Sequence, residues 1–322
     1  MIKHLETIQK IKQAIDEAKN ILAITHQKPD GDGLGAICAL ASYLTSLRKN
    51  YQLFCLDPVP DSGIFLPLAH QITADRSVFN NQYDLIIILD SGDLQHAGID
   101  QLLENYKHQY TLVNIDHHIT NQGYGDLNLV LAEKSSVSEI VYNLFHIWHF
   151  PICKEVATAL LNGIIFDTGA FSNAATSLSS LEAASHLLNL GARHKEINES
   201  QIRNKSLGLL KLWGRAFERL TYNPHYDLAF TVITQQDIKE CQASPEATEG
   251  IANFFNELAG AKIALVLKEE PDGQIKGSLR TTYDDIDVGQ LAKNWGGGGH
   301  KKAAGFSVKG RLVYNENRWK IV

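Results

Sequence analysis

Four short segments, far apart along the chain, each close an apolar run with acidic or histidine side chains: ILAITHQKPDGDG from residue 21, LIIILDSGD from 85, TLVNIDHH from 111 and ALLNGIIFDTG from 159. The first three runs are β-rich, and the first half of the chain alternates such short runs with helical patterns. Strands are expected at 21–26, 51–56, 84–90 and 110–116, with a helix over 34–48 and further helices over 136–149, 153–166, 178–190 and 195–220. Such alternation predicts an α/β fold with a mostly parallel sheet flanked by helices. Ligands in sheets of that kind bind beyond the carboxyl ends of the strands. The acidic and histidine residues of these segments are therefore expected along one edge.

At 322 residues the chain exceeds one ordinary domain. The pattern changes near TYNPH (221–225), after which come strands at 227–234, 261–269 and 274–282, helices around 247–259 and 287–295, the run GGGGHKKAAG and a final strand FSVKG. The expected organisation is a catalytic domain over 1–192, a helical linker over 193–224 and a smaller α+β domain over 225–322. A hydrophobic content of 44% with 20% charged residues excludes a disordered chain. Cys38, Cys55, Cys153 and Cys241 form no CxxC pair, which argues for a reducing cytoplasm. Ile8, Ile11, Ile15 and Ala18 mark an amphipathic helix at the start, and no apolar run approaches the roughly 20 residues that cross a bilayer. A net charge of −6 argues against a protein that wraps long duplex nucleic acid, and leaves short anionic substrates open.

The candidate ligands are His26, Asp30, Asp32, Asp90, His117 and Asp167, with Asp116 and His118 beside them. Carboxylate oxygens with imidazole nitrogens and no thiolate suit Mn²⁺, Mg²⁺, Zn²⁺ or Fe²⁺, and this mixture leans towards Mn²⁺. So many acids at one edge repel unless cations lie between them. Two divalent ions sharing a bridging carboxylate resolve that repulsion and generate a hydroxide for attack on phosphorus. Each segment alone reads as an ordinary turn or cap. Their joint occurrence at strand ends is what carries the chemistry.

GDGLGA also satisfies the dinucleotide-binding pattern G-x-G-x-x-A, but Asp30 and Asp32 would face a pyrophosphate where backbone amides should meet it. The second cluster, GGGGHKKAAG at 296–305, brings Gly297, Gly298, Gly299 and His300 together with Lys301 and Lys302. Glycines let backbone amides approach an anion, and Arg280 in the preceding strand can add a bidentate phosphate contact.

These motifs resemble the DHH phosphoesterases: HxxPDGD at 26–32, DSGD at 90–93, DHH at 116–118, DTG at 167–169 and the DHHA1-like GGGGHKKAAG, in the family's order along nearly the whole chain. The resemblance implies one ion held by His26, Asp30 and Asp90, and another by Asp32, Asp90, His117 and Asp167, with Asp90 bridging. It implies that His118 stands beside the scissile phosphate, that Asp116 orients an imidazole, and that Arg280, Gly297, Gly298, Gly299 and His300 grip a terminal phosphate. Within the family the chain is most similar to bacterial nanoRNases that also dephosphorylate adenosine 3',5'-bisphosphate. The expected substrates are RNA of a few nucleotides and that bisphosphate, in a cleft between two domains, with manganese or magnesium as cofactor. Cyclic or linear dinucleotide hydrolysis, a RecJ-like single-strand exonuclease and a nucleotide-sensing protein without turnover are the alternatives, and monomer and homodimer stay open. Ala36, where the family often has serine, and AFSNAAT after DTG, where an arginine is expected at or near Ala170 or Ser172, bear on substrate preference and leave the ligand set intact.

Overall fold

A computed structural model describes residues 4–201, 206–243, 249–255, 258, 260–316 and 318–322. The chain divides into two compact units, Met1–Asn204 and Lys205–Val322.

The first unit runs α1 (Leu5–Glu17), β1 (Asn20–Thr25), α2 (Gly31–Ser46), β2 (Asn50–Phe54), β3 (Ile72–Thr73), β4 (Leu85–Leu89), α3 (Asp100–Glu104), β5 (Thr111–Asp116), β6 (Leu127–Val130), α4 (Val137–Ile147), α5 (Lys154–Asp167), α6 (Leu178–Asn189) and α7 (His194–Gln201). Its six strands are all parallel, in the order β3-β2-β1-β4-β5-β6. The order reverses between β1 and β4, and the crevice at such a switch point is where doubly wound sheets take ligands. His26 follows β1 and Asp90 follows β4. Alternate strand residues serve two cores. Ile21, Ala23, Leu85, Ile87 and Leu89 pack with α1, α2, α4 and α5, while Leu22, Ile24, Ile86 and Ile88 pack with Val78, Tyr83, Ile99 and Leu103. Ile8, Ile11 and Ile15 seat α1 in the first core, each contributing roughly 1.5–3 kcal/mol by burial.

The second unit runs α8 (Leu207–Glu218), β7 (Thr221–Asn223), β8 (Leu228–Ile233), α9 (Gln235–Cys241), α10 (Glu249–Phe254), β9 (Ile263–Glu269), β10 (Gln274–Arg280), α11 (Val288–Lys293), β11 (Gly298–Gly299), β12 (Ala303–Lys309), β13 (Leu312–Asn315) and β14 (Arg318–Ile321). Its sheet has the order β11-β12-β10-β9-β8-β7; β8 and β9 are parallel and the other pairs antiparallel.

Several expectations are corrected. The single helix over 195–220 is two, α7 and α8, because Ser206 in extended backbone caps the Leu209 amide and starts α8 afresh. Within 193–224, Ile197 of α7 packs in the first unit's core and Leu212 and Ala216 of α8 in the second's. FSVKG is not the last strand, since β13 and β14 form a hairpin after it. Part of the helix expected around 247–259 lies outside the described residues. α2 begins three residues early because Asp30 caps it, accepting from the amides of Asp32 and Gly33 at 2.9 and 3.2 Å.

Candidate metal centre

Asp90 stands at the centre of the constellation. It is buried, and its backbone takes the left-handed conformation at φ 61° directly after β4, a strain that asparagine and aspartate tolerate best and that concentrates at functional sites. Its two carboxylate oxygens have different imidazole neighbours. Oδ2 lies 3.6 Å from His26 Nε2, and Oδ1 lies 3.7 Å from His117 Nε2. His26 Nε2 is also 3.5 Å from Asp30 Oδ1, and His117 Nε2 is 3.2 Å from Asp167 Oδ2. Two groups able to hold an ion result: His26 with Asp30 and Asp90, and Asp32 with His117 and Asp167, the donor atoms of each within 4.8 Å of one another. Donors around one divalent ion at about 2.1 Å stand roughly 3.0–3.4 Å apart, so these separations fit such an ion with little movement.

The imidazoles are set for the task. His26 Nδ1 faces the Gln27 carbonyl at 2.8 Å and His117 Nδ1 faces the Lys134 carbonyl at 3.4 Å, which puts the Nδ1 proton against oxygen and turns Nε2 towards the carboxylates. Asp32 is held by the start of α4: its Oδ2 accepts from the Val137 amide at 2.6 Å and its Oδ1 from the Ser138 amide at 2.8 Å. A Cβ at Gly163 on α5 would come within 2.4 Å of Asp32 Oδ1 and 2.0 Å of Ser138 Oγ, so only glycine leaves room for this seat. Asp167 comes from the last turn of a helix, α5, whereas Asp90 follows a strand, Asp30 caps α2 and Asp32 lies in the first turn of α2.

A third group, Asp90 with His117 and His118, also lies within ligand distance. His118 Nδ1, however, is engaged by Asp116 Oδ1 at 2.8 Å, and Asp116 Oδ2 accepts from Asn121 Nδ2 at 2.7 Å. His118 is thus an imidazole oriented by a carboxylate, with Nε2 left for other work. The bond from Asp116 raises the His118 pKa. Burial would raise the Asp116 carboxyl, but the bond from His118 outweighs it and holds Asp116 below its ordinary value.

Without cations between them, the carboxylates of this cluster repel one another. Burial, then the neighbouring carboxylates, pushes Asp90 up to about 6; burial likewise pushes Asp32 to about 6, and raises Asp167 well above the usual range. Burial acts against a charged His26, but Asp30 and Asp90 more than reverse it and push the imidazole up to about 11. Divalent cations answer every one of these shifts at once.

Two further residues at the site carry little sequence signal of their own. Glu139, fully buried, takes Lys134 Nζ at 2.7 Å and Ser179 Oγ at 2.6 Å on one oxygen, and the Ser135 amide and hydroxyl at 2.9 and 2.8 Å on the other. That network fixes the turn whose Lys134 carbonyl meets His117. The capping pattern S-x-x-E at 136–139 is the one hint of it. His96 stacks on His26 with centroids 5.1 Å apart and planes 7° from parallel.

The dinucleotide-like glycines serve the protein's own packing: a Cβ at Gly33 would lie 2.3 Å from Thr25 Oγ1 and 3.1 Å from His26 Nε2. In the second unit, Gly298 and Gly299 form β11 against Gly305 and Ala304, and Arg280 pairs in register with Ala303 on the other side of β12. Arg280 and the glycine run thereby meet at one end of that sheet. His300 is exposed, Arg280 is half-buried with Nη1 donating to the Leu279 carbonyl at 2.9 Å, and a Cβ at Gly297 would meet the Gly305 carbonyl at 2.1 Å.

A switch-point carboxylate site in one unit and a glycine-edged sheet in the other are the attributes of a DHH–DHHA1 protein, and residues 20–164 match the DHH family, N-terminal domain, while residues 230–318 match the DHHA1 domain. The chain carries both domains, in that order. It is 26% identical, over 90% of its length and 84% of the relative's, to the bifunctional oligoribonuclease and PAP phosphatase NrnA of Thermus thermophilus. It is also 26% identical to the protein of that name from Bacillus subtilis, over 89% of each chain. Among solved structures, an exopolyphosphatase-related protein from Bacteroides fragilis superposes with a TM-score of 0.87 at 23% identity, covering 95% of this chain and 92% of that one. RecJ from Thermus thermophilus, solved in complex with Mn²⁺, superposes with a TM-score of 0.54 at 18% identity, covering 94% of this chain and 52% of that one. These two likenesses establish the fold alone. No helix among the described residues is long and apolar enough to cross a membrane.

Proposed function

We propose that the chain is a metal-dependent phosphoesterase that releases mononucleotides from RNA of a few residues and dephosphorylates adenosine 3',5'-bisphosphate. The observation that carries this reading is the division of Asp90's two oxygens between His26 and His117, the disposition of a carboxylate shared by two cations. The named activities of the NrnA relatives support the substrate class. His26, Asp30 and Asp90 would hold one ion and Asp32, Asp90, His117 and Asp167 the other, with Mn²⁺ the preferred metal and Mg²⁺ the substitute. When bound, the ions supply charge compensation at phosphorus and a nucleophile from water at neutral pH.

The chain's own residues do the rest. Asp116, steadied by Asn121, orients His118, whose raised pKa keeps a proton at Nε2 for the leaving oxygen as the P–O bond breaks and water supplies the new oxygen. Arg280 and the amides of Gly297, Gly298 and Gly299, with His300, grip the phosphate that is not cleaved. The enzyme acts in the cytoplasm, in keeping with four unpaired cysteines.

The test is release of mononucleotide from a 5'-labelled RNA dinucleotide, and of phosphate from adenosine 3',5'-bisphosphate, with Mn²⁺ or Mg²⁺ present. Both should proceed and both should vanish in Asp90→Ala. An Asp90→Ala variant of undiminished rate, or turnover confined to a cyclic dinucleotide supplied in parallel, overturns the reading.

A further inference from the structure

Asn162 lies on α5, five residues before Asp167, and its side chain is 1% exposed. A buried amide must be hydrogen-bonded or it costs stability. Its Nδ2 donates to the Gly31 carbonyl at 2.8 Å, the peptide oxygen between Asp30 and Asp32. Its own two oxygens are both claimed by one partner: Gln201 Nε2 donates to the Asn162 carbonyl at 2.9 Å and also to Asn162 Oδ1.

Gln201 is the last residue of α7 and the last described before the chain passes into the second unit. α7 is a polar helix, and Ile197 is its one buried residue. The remaining anchors are hydrogen bonds: Ser200 Oγ to the Ser62 carbonyl, Arg193 Nη2 to the Phe65 carbonyl at 3.3 Å, and the Arg193 amide to Thr158 Oγ1 at 3.0 Å. With so little apolar burial, α7 draws its position from these bonds, and segments of that kind open at small cost.

We propose that Asn162 and Gln201 are positioning residues for the Asp30–Gly31–Asp32 loop, forming a relay from the end of α7 through α5 to the peptide that sets both aspartates. Gln201 fixes the amide of Asn162 in the one orientation that donates to Gly31. Without Gln201 that amide is free to turn, the Gly31 carbonyl loses its side-chain donor, and the peptide between Asp30 and Asp32 loses its tie to α5. The proposal rests on the metal reading above, since what the relay sets is the ligand geometry.

The experiment is calorimetric titration of the full chain with Mn²⁺ alone, alongside the melting temperature of the metal-free protein. Gln201 is half-buried at a helix end, so Gln201→Ala should fold and melt within a few degrees of the parent. Its Mn²⁺ affinity should fall about threefold to tenfold, below the ~10–100-fold typical of a partner bonded directly to a ligand, because the relay touches the loop's backbone. Asn162→Ala should lose as much, the double variant no more than Asn162→Ala alone, and Gln201→Lys, which keeps a donating nitrogen, should retain parental affinity. A Gln201→Ala variant with a lowered melting temperature and Mn²⁺ affinity within twofold of the parent overturns the relay, as do additive losses in the double variant. A parent protein that takes up no Mn²⁺ overturns the metal reading, and the relay with it.

Discussion

At neutral pH the His26 imidazole of the metal-free protein holds a proton on the nitrogen that faces Asp30 and Asp90, since their carboxylates push its pKa to about 11. A cation at that position has to displace the proton, so Mn²⁺ affinity should rise with pH between 6.5 and 8.5, by up to about tenfold per unit for one proton released. Calorimetry in buffers of different ionisation enthalpy measures the release directly, and a flat profile would contradict it. His118 should behave differently, although it too lies within ligand distance of Asp90. Its Nδ1 is committed to Asp116 at 2.8 Å, so His118→Asn should leave Mn²⁺ affinity unchanged while lowering kcat about 10²–10⁴-fold, the usual worth of a positioned acid. His117→Asn should instead lose metal, because its Nε2 meets Asp90 and Asp167. A His118→Asn variant that binds Mn²⁺ as poorly as His117→Asn would reverse these roles. At this scale the sequence is legible through combination: an aspartate or histidine after one apolar run reads as a turn or cap, and four such segments at strand ends together point to one cluster. Asn162, Gln201 and Glu139 were not legible: polar residues on helices become partners only when elements distant in sequence are packed together.

The close approach of α2, α4 and α5 is what allows Asp32 to sit on the first amides of α4. Gly163 is the contact point, and Gly163→Ala would place a methyl 2.0 Å from Ser138 Oγ and 2.4 Å from Asp32 Oδ1. Overpacking of a close-packed interior costs about 1–3 kcal/mol, and relief here requires either α5 to shift or Asp32 to leave its seat. The variant should therefore show a lower melting temperature together with weakened Mn²⁺ binding. A loss of stability with unchanged metal affinity would mean that α5 moves as a body and Asp32 stays. Elements with strong periodicity, such as β1, β4, β5 and α4, were readable from their apolar spacing. β6 escaped because its four residues are mostly half-buried and present no clear alternation. The β13–β14 hairpin escaped because only Leu312 among its residues is buried, so its strands lack an inward-facing pattern. The break between α7 and α8 was hidden by an amphipathic spacing that runs across it; it is marked by Ser206, a cap that serine supplies as readily in loops.

The two units should answer metal and acid separately, because Asp32 and Asp90 in the first and Asp237 in the second are shifted in opposite directions. In the metal-free first unit Asp32 and Asp90 have pKa values raised to about 6, so their stabilising contribution is present below the unfolded value near 3.9 and is lost as pH rises through about 6. In the second unit, burial would raise Asp237, but Arg219, Thr234 and Arg215 outweigh it and hold its carboxyl far below the ordinary range. That contribution is present above about 3.9 and is lost only as pH falls through the depressed value. Saturating Mn²⁺ replaces the first unit's repulsion with coordination, and at 100 times its Kd a ligand stabilises the state it binds by about 2.7 kcal/mol. Hydrogen exchange at pH 7 should show Mn²⁺ slowing amides around 26–33, 90–93, 116–121 and 134–139 by up to about 100-fold, with β9 and β10 unaffected. Adding adenosine 3',5'-bisphosphate to Mn²⁺-loaded His118→Asn, which keeps the metal but turns over slowly, should then protect 297–303 as well. Protection by the nucleotide confined to the first unit would show that the glycine-edged sheet takes no part in holding substrate. Protection of 297–303 by Mn²⁺ alone would show that the metal's effect extends beyond the unit that carries its ligands.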